Sequence, residues 1–399
     1  MLSASLSLCM IVRDEAAVIQ RCLASARPAV DEIIVVDTGS QDATPDLARQ
    51  MGAQVHPFAW GDDFAAARNF SLDQATGEWI LVLDADETLV AAVIPEIRRL
   101  IQRPEALAIT LVRQEAGMTQ VPYSLVLRLF RNRPDLRFQR AFHELVDDHV
   151  AAIQQREPGW RVLHLPAVAL GHTGYRPDTV AQRDKLQRAA THLMALHQAD
   201  PTDAYVACKL AGVYLQTGAP EQAIPLLISG QRAPNLEPTL SYEIHYHLGL
   251  AHQRVGRLAE ALASYQRATE HPLPLPLKLG AYFNWASLHL ERGNARDAEA
   301  LLIQVLAIDP HLALAHYNLG LALKSQNRFE EAIHHYQRAL ALQPDYAPAH
   351  QNLGVTLFKM GRVSESRTAF QAAIRLYETQ QSPEAGRLRQ GLLGLGLEV

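Results

Sequence analysis

The 399-residue sequence predicts two successive architectures: an α/β unit with a mostly parallel sheet to about residue 176, then an all-helical solenoid. Two observations carry this. In the first part, short apolar runs alternate with helix-length stretches, the pattern of a parallel sheet covered on both faces. In the second part, the same residue types return every 34 positions, stretching to 37 twice, from Gly212 to Gly249 and from Gly249 to Ala286, enough chain for one pair of packed helices. Length agrees, since about 150 residues per domain gives two or three domains.

The elements follow in order. The apolar run 6–12 is a strand; no charged segment precedes it and Arg13-Asp14-Glu15 follows at once, so a buried strand suits it better than a signal peptide. A helix over 15–26 ends before Pro28. Strand 32–36 leads to a helix over 44–51 and a third strand over 53–57. A helix over 63–75 ends near Gly77, and 79–83 is the fourth strand. Farther on, 125–131 reads as another strand. Right-handed crossovers place the carboxyl ends of such strands on one edge, where open sheets bind ligands.

The mixed-charge stretch 177–203 reads as a connecting helix. From 204 to 380 the repeat takes over, in about five units, and 381–399 is a C-terminal tail. Leu319-Gly320, Ala332, Tyr336 and Ala339 return as Leu353-Gly354, Ser366, Phe370 and Ala373, and appear earlier as Trp285-Ala286, Ala298, Leu302 and Val305. Leu248-Gly249 with Tyr265, and Ala211-Gly212 with Ala223, are further units. Small residues at this period resemble the tetratricopeptide repeat, in which they let paired helices approach. Such arrays offer a concave face for a peptide or protein, or a surface for assembly into a homodimer.

Composition excludes several classes. Hydrophobic residues at 48% and charged residues at 20% exclude a disordered chain. A net charge of −5 supplies no basic field for nucleic acid. No run approaches the ~20 apolar residues of a transmembrane segment. Three cysteines form no disulfide framework, which suits a reducing, cytoplasmic location. There is no phosphate loop ending in Lys-Ser/Thr, no dinucleotide fingerprint, no paired-His zinc helix and no cysteine pair at metal spacing.

The chemistry-bearing residues stand at strand ends. Asp37-Thr38-Gly39-Ser40-Gln41-Asp42 follows the second strand; it suits either a ribose or base contact or a plain capped turn. Asp84-Ala85-Asp86-Glu87 follows the fourth strand. Three crowded acids repel one another unless a divalent cation or a cationic partner neutralises them; a solvated turn is the other reading. His143-Glu144 and His172 are further candidates, each equally suited to a structural role. Cys9 reads as a packing residue, and the twelve histidines beyond residue 190 read as a solvated or groove-lining face.

Taken together, Ser7 to Glu15, Glu32 to Asp42, Asp63-Phe64-Ala65-Ala66-Ala67-Arg68-Asn69 and Gly77 to Glu87 resemble glycosyltransferase family 2, in the branch of sublancin-type peptide S-glycosyltransferases. Asp14 departs from the Asn usual before Glu15. The resemblance implies the A-type glycosyltransferase fold and a nucleotide-diphosphate sugar, UDP-linked, as donor. It places Val12, Arg13 and Glu15 in the nucleotide pocket, Asp37 at the base, and Ser40 and Asp42 beside it. Arg68 approaches the phosphates, Asp84 faces the ribose or metal, and Asp86 binds manganese or magnesium, with His172 completing the metal site. Glu144 becomes the base of an inverting transfer, with His143 as its neighbour. The acceptor implied is a peptide or protein recruited by the repeats; the alternatives are an interaction scaffold with an inactive transferase domain, or transfer to a glycan or small molecule.

Overall fold

A computed structural model describes residues 4–115, 123–139, 145–173 and 180–397. It divides into two compact units, Met1–Pro177 and Asp178–Val399.

The first unit runs β1 (Leu6–Val12), α1 (Ile19–Ala26), β2 (Glu32–Asp37), α2 (Thr44–Gln50), β3 (Gln54–Pro57), α3 (Phe64–Gln74), β4 (Trp79–Val82), β5 (Glu87–Leu89), α4 (Ile94–Leu100), β6 (Ala106–Glu115), β7 (Tyr123–Arg131), α5 (Asp147–Arg156) and β8 (Arg161–His172). One eight-stranded sheet has the order β3-β2-β1-β4-β7-β6-β8-β5. The first four strands in that order are parallel. Beyond β4 the sheet is mixed: β7 is antiparallel to both β4 and β6, β8 is parallel to β6, and β5 is antiparallel to β8. Parallel pairing thus joins β3, β2, β1 and β4 and recurs between β6 and β8, while β7 and β5 run antiparallel to their neighbours.

Alternation along each strand loads two cores. Leu8, Met10, Ile33 and Val35 pack with Ile19 and Leu23 of α1, Ala48 of α2 and Ile97 of α4. Cys9, Ile34, Ile80 and Val82 face the other way, against Ala65 and Leu72 of α3 and Val150 and Ile153 of α5. Cys9 is fully buried, and burial pushes its thiol up to about 12, so it packs rather than reacts. Helix α1 begins at Ile19; the turn before it starts at Glu15, whose carbonyl accepts from Val18 N and Ile19 N, while the N–H groups of Glu15 and Ala16 are met by Thr44 Oγ1 and Asp42 Oδ2.

The second unit begins with α6 (Val180–Ala199), which packs on the next helix. Five consecutive pairs follow: α7 (Ala204–Gln216) with α8 (Pro220–Gln231), α9 (Pro238–Arg254) with α10 (Leu258–Glu270), α11 (Leu275–Glu291) with α12 (Ala295–Ile308), α13 (Ala313–Ser325) with α14 (Phe329–Leu342), and α15 (Ala347–Lys359) with α16 (Val363–Thr379). The stretch read as a tail contains α17 (Glu384–Gly394); Leu392 and Leu397 pack on Phe370 and Ile374 and close the array. Gly320 explains the period. A Cβ there would meet the Tyr336 ring at 2.5 Å, so the aromatic of the second helix lies directly on the glycine of the first. First helices of successive pairs are bonded to one another: Asn284 Nδ2 donates to the Tyr246 hydroxyl and Asn352 Nδ2 to the Tyr317 hydroxyl, both at 3.1 Å. The histidines correct the sequence reading. His245, His252 and His316 are buried, and His316 Nδ1 meets His335 Nδ1 at 3.0 Å between α13 and α14.

Candidate active site

The carboxyl ends of β1, β2 and β4 share one edge because β1 pairs in parallel with both neighbours. Register sets Val12 beside Asp37. The loops after β1 and β2 are stitched together. Val12 O accepts from Thr38 N and Thr38 Oγ1, both at 3.0 Å; Asp14 N donates to Ser40 Oγ at 3.0 Å, and Gln41 N to Asp14 Oδ1 at 2.7 Å. Asp42 accepts from Ala16 N and Thr44 N. Gly39 takes a φ of 101°, which brings Ser40 N back to the Asp37 carboxylate at 3.2 Å. Asp37, Ser40 and Asp42 thus shape the turn, while the Arg13 side chain stands exposed.

The acids after β4 have different fates. Asp84 is clasped by two guanidinium groups, Arg68 at 2.7 Å and Arg128 at 2.8 Å, one on each carboxylate oxygen. Burial opposes its ionisation, but Arg128 and Arg68 outweigh it and hold the carboxyl far below the usual range. Glu87 is fully buried; it bonds Arg113 at 2.9 Å and accepts from Asp84 N, which fixes the turn. Asp86 Oδ2 lies 3.1 Å from His172 Nε2, and His172 Nδ1 lies 2.6 Å from Glu115 Oε2. Parallel pairing of β6 with β8 sets Glu115 directly beside His172. Bonds to Asp86 and Glu115 push the His172 pKa up to about 9. Glu115 is steadied in turn by Arg113 and Ser124.

The acids still dominate locally. Glu15 is pushed above the ordinary carboxyl range, first by burial and then by Asp86, Asp84, Asp42 and Asp14. That surplus suits a cation. Asp86 and His172 would fit such an ion in exchange for the proton on His172 Nε2: one carboxylate oxygen faces that ring nitrogen, and Glu115 holds the opposite one, as carboxylates orient metal-ligating imidazoles. Magnesium and manganese sites need only one or two carboxylates when substrate phosphates supply the rest. Asp84 fits less well, since both oxygens are already bonded to arginine. Among the described residues no group of three or more His, Cys, Asp or Glu is placed to hold a metal. The expected base Glu144 and its neighbour His143 lie outside the described residues.

Arg113, Glu115 and Arg128 were missed by sequence reasoning. Arg128 carries a signal, a charged residue inside the apolar run Leu125-Val126-Leu127-Arg128-Leu129-Phe130, whereas Arg113 and Glu115 stand at the polar end of β6 and carry none. A strand interior tolerates a charge only beside a partner.

Comparison with known proteins gives the geometry its family. The model of glycosyl transferase family 2 matches residues 7–163. A TPR repeat-containing protein of Synechococcus elongatus is 46% identical over 307 residues, covering 77% of this chain and 76% of the relative. The chain belongs to glycosyltransferase family 2. Tetratricopeptide-repeat models match 209–274, 321–361 and 351–379. This family 2 enzyme is also 31% identical over 139 residues to the SPbeta prophage-derived glycosyltransferase SunS of Bacillus subtilis, covering 34% of this chain and 33% of that one. It is 39% identical over 88 residues to an uncharacterized glycosyltransferase of Rickettsia felis, covering 22% of this chain and 31% of that one. A family 2 glycosyltransferase takes its sugar from a nucleotide-sugar donor. No helix among the described residues is long and apolar enough to cross a membrane.

Proposed function

We propose that the enzyme transfers a sugar from a UDP-linked donor to a peptide or protein presented by the repeats, with inversion and with manganese or magnesium. One observation carries the reading: the edge that gathers Asp37 and Glu15 also holds the Arg68–Asp84–Arg128 clasp and the Asp86–His172–Glu115 chain. A donor needs those parts together. Asp37 meets the base, and Val12, Arg13 and Glu15 line the pocket, its walls set by Ser40 and Asp42. Arg68 and Arg128, held in place by Asp84, turn positive charge toward the diphosphate. Asp86 and His172 are the side chains that would hold the metal. When bound, a divalent ion neutralises charge developing on the departing diphosphate. Glu144 takes the acceptor proton, with His143 beside it.

Repeats beside a transferase unit support recruitment of a polypeptide, since stacked helix pairs present an extended binding face. Two variants test the reading with a panel of UDP-sugars, cell lysate and mass spectrometry. Asp86→Ala is expected to abolish sugar addition while the melting temperature stays near wild type. Glu144→Gln is expected to abolish addition yet keep UDP binding. Near-normal transfer by either variant sinks its assignment. Labelled product that contains only glycans or small molecules rejects the polypeptide acceptor.

A further inference from the structure

We propose that Trp60 and Phe64 form the platform on which the donor nucleobase stacks; this rests on the donor-pocket reading above. The chain that carries them leaves the sheet next to Asp37. Register pairs Asp37 with Pro57, and Phe58 N donates to Asp37 O at 2.8 Å. Two residues of extended backbone span at most about 7 Å, so Trp60 lies close to the residue assigned to the base.

The loop holds the two rings in a set arrangement. Trp60 Nε1 donates to Asp62 Oδ1 at 2.9 Å, and Asp62 sits in the left-handed region with a φ of 57°. Asp tolerates that region better than most side chains, so Asp62 suits the tight turn that brings its carboxylate to the indole. The indole meets Phe64 edge-on, with ring centroids 4.7 Å apart at 72°. Phe58 and Phe70 pack on each other nearby, at 5.3 Å. Trp60 stays half-exposed and Phe64 is 37% exposed, although each ring would gain by burial. Asp63 is committed to capping α3 by accepting from Ala66 N at 3.0 Å.

The helix then gives direction. Phe64 and Arg68 are four residues apart, on one face of α3, and Arg68 reaches Asp84. Moving along that face, an aromatic surface is followed one turn later by the arginine clasp. A nucleoside diphosphate has the same order, a flat base and then its phosphates. Stacking accepts any base, so the platform supplies affinity and Asp37 supplies discrimination.

The test uses the full chain with UDP and manganese, read by calorimetry and by tryptophan emission. Trp60→Ala is expected to weaken UDP binding about tenfold, and Trp60→Phe to stay within about threefold of wild type because a phenyl ring still stacks. UDP is expected to quench emission of the wild type and not of Trp60→Phe, a readout that decides the matter even if Trp60→Ala does not fold. Unchanged UDP affinity in Trp60→Ala overturns the inference. So does a change confined to the KM for acceptor, which assigns the shelf to the acceptor. Asp37→Ala separates the two layers: if it loses UDP while Trp60→Ala keeps it, only the platform fails. If the wild type itself binds no UDP, the donor reading fails first.

Discussion

Asp14 holds a φ of 55°, a left-handed conformation that Asp and Asn tolerate better than other side chains. Its carboxylate accepts from Gln41 N, which ties the β1 loop to the β2 loop. An Asn oxygen would accept equally, so the departure from the family pattern changes neither the conformation nor the bond. Asp14→Asn is therefore expected to move stability by less than about 0.5 kcal/mol in urea unfolding. Asp14→Val adds β-branched strain and removes the acceptor, at a cost of about 1–2 kcal/mol. Equal losses in both variants would show that the charge matters, not the shape. Arg128 argues the same way for a side chain the sequence did not single out. It holds one oxygen of Asp84, with Arg68 on the other. Arg128→Ala is expected to lower kcat/KM tenfold or more with a near-normal melting temperature, whereas an unchanged rate removes it from the site.

Two element-level features explain what repeats and strands do here. In the repeats, the glycine at the helix crossing and the ring opposite it form a matched pair. Gly320→Ala pushes a methyl into Tyr336, and overpacking of this kind costs about 1–3 kcal/mol. The repeat 34 residues earlier uses the pair Ala286 and Leu302, both fully buried. Gly320→Ala with Tyr336→Leu is thus expected to recover most of the loss in a thermal melt, and failure to recover would mean the ring is needed for itself. In the catalytic unit, β6, β7 and β8 deliver Arg113, Glu115, Arg128 and His172 to the same edge as β4. Strand 125–131 was legible from its apolar run. Its partners were not, because cross-strand register depends on chain far away in sequence.

At the scale of the whole molecule the two units respond differently to acid. In the repeats, burial holds His245, His271 and His316 below the ordinary imidazole value, and His335 falls to about 4. The unfolded chain then binds more protons than the folded one below about pH 6.5. Stability from these groups is complete above pH 6.5 and is lost as pH falls toward 4, by about 1–2 kcal/mol at pH 5 for His335. In the catalytic unit, Glu157 is lowered to about 2 by Arg133, so its contribution starts to fade only below about pH 4.5, and the loss from His164, held low by burial, is opposed by His172, raised to about 9, whose contribution grows as pH falls toward 6.5. Calorimetric melts at pH 7 and pH 5 are expected to lower the transition of the helical unit while leaving that of the α/β unit nearly in place. Parallel shifts of both would contradict this. Deleting 204–399 tests the division of labour: addition of sugar to protein is expected to fall while donor hydrolysis persists.

The sequence by itself determined the order of the two architectures, the first four strands, the 34-residue helix pairs and the acids at the ends of β2 and β4. Those are local properties, since periodicity, turn residues and small-residue spacing act within a few tens of residues. Only the tertiary structure decided how the charges are shared. It gave Asp84 to two arginines, Glu87 to Arg113, and Asp86 to a histidine held by Glu115. These partners come from strands up to 86 residues apart in sequence. A buried charge must be answered by whichever opposite charge the sheet register brings alongside, and no local pattern encodes that register.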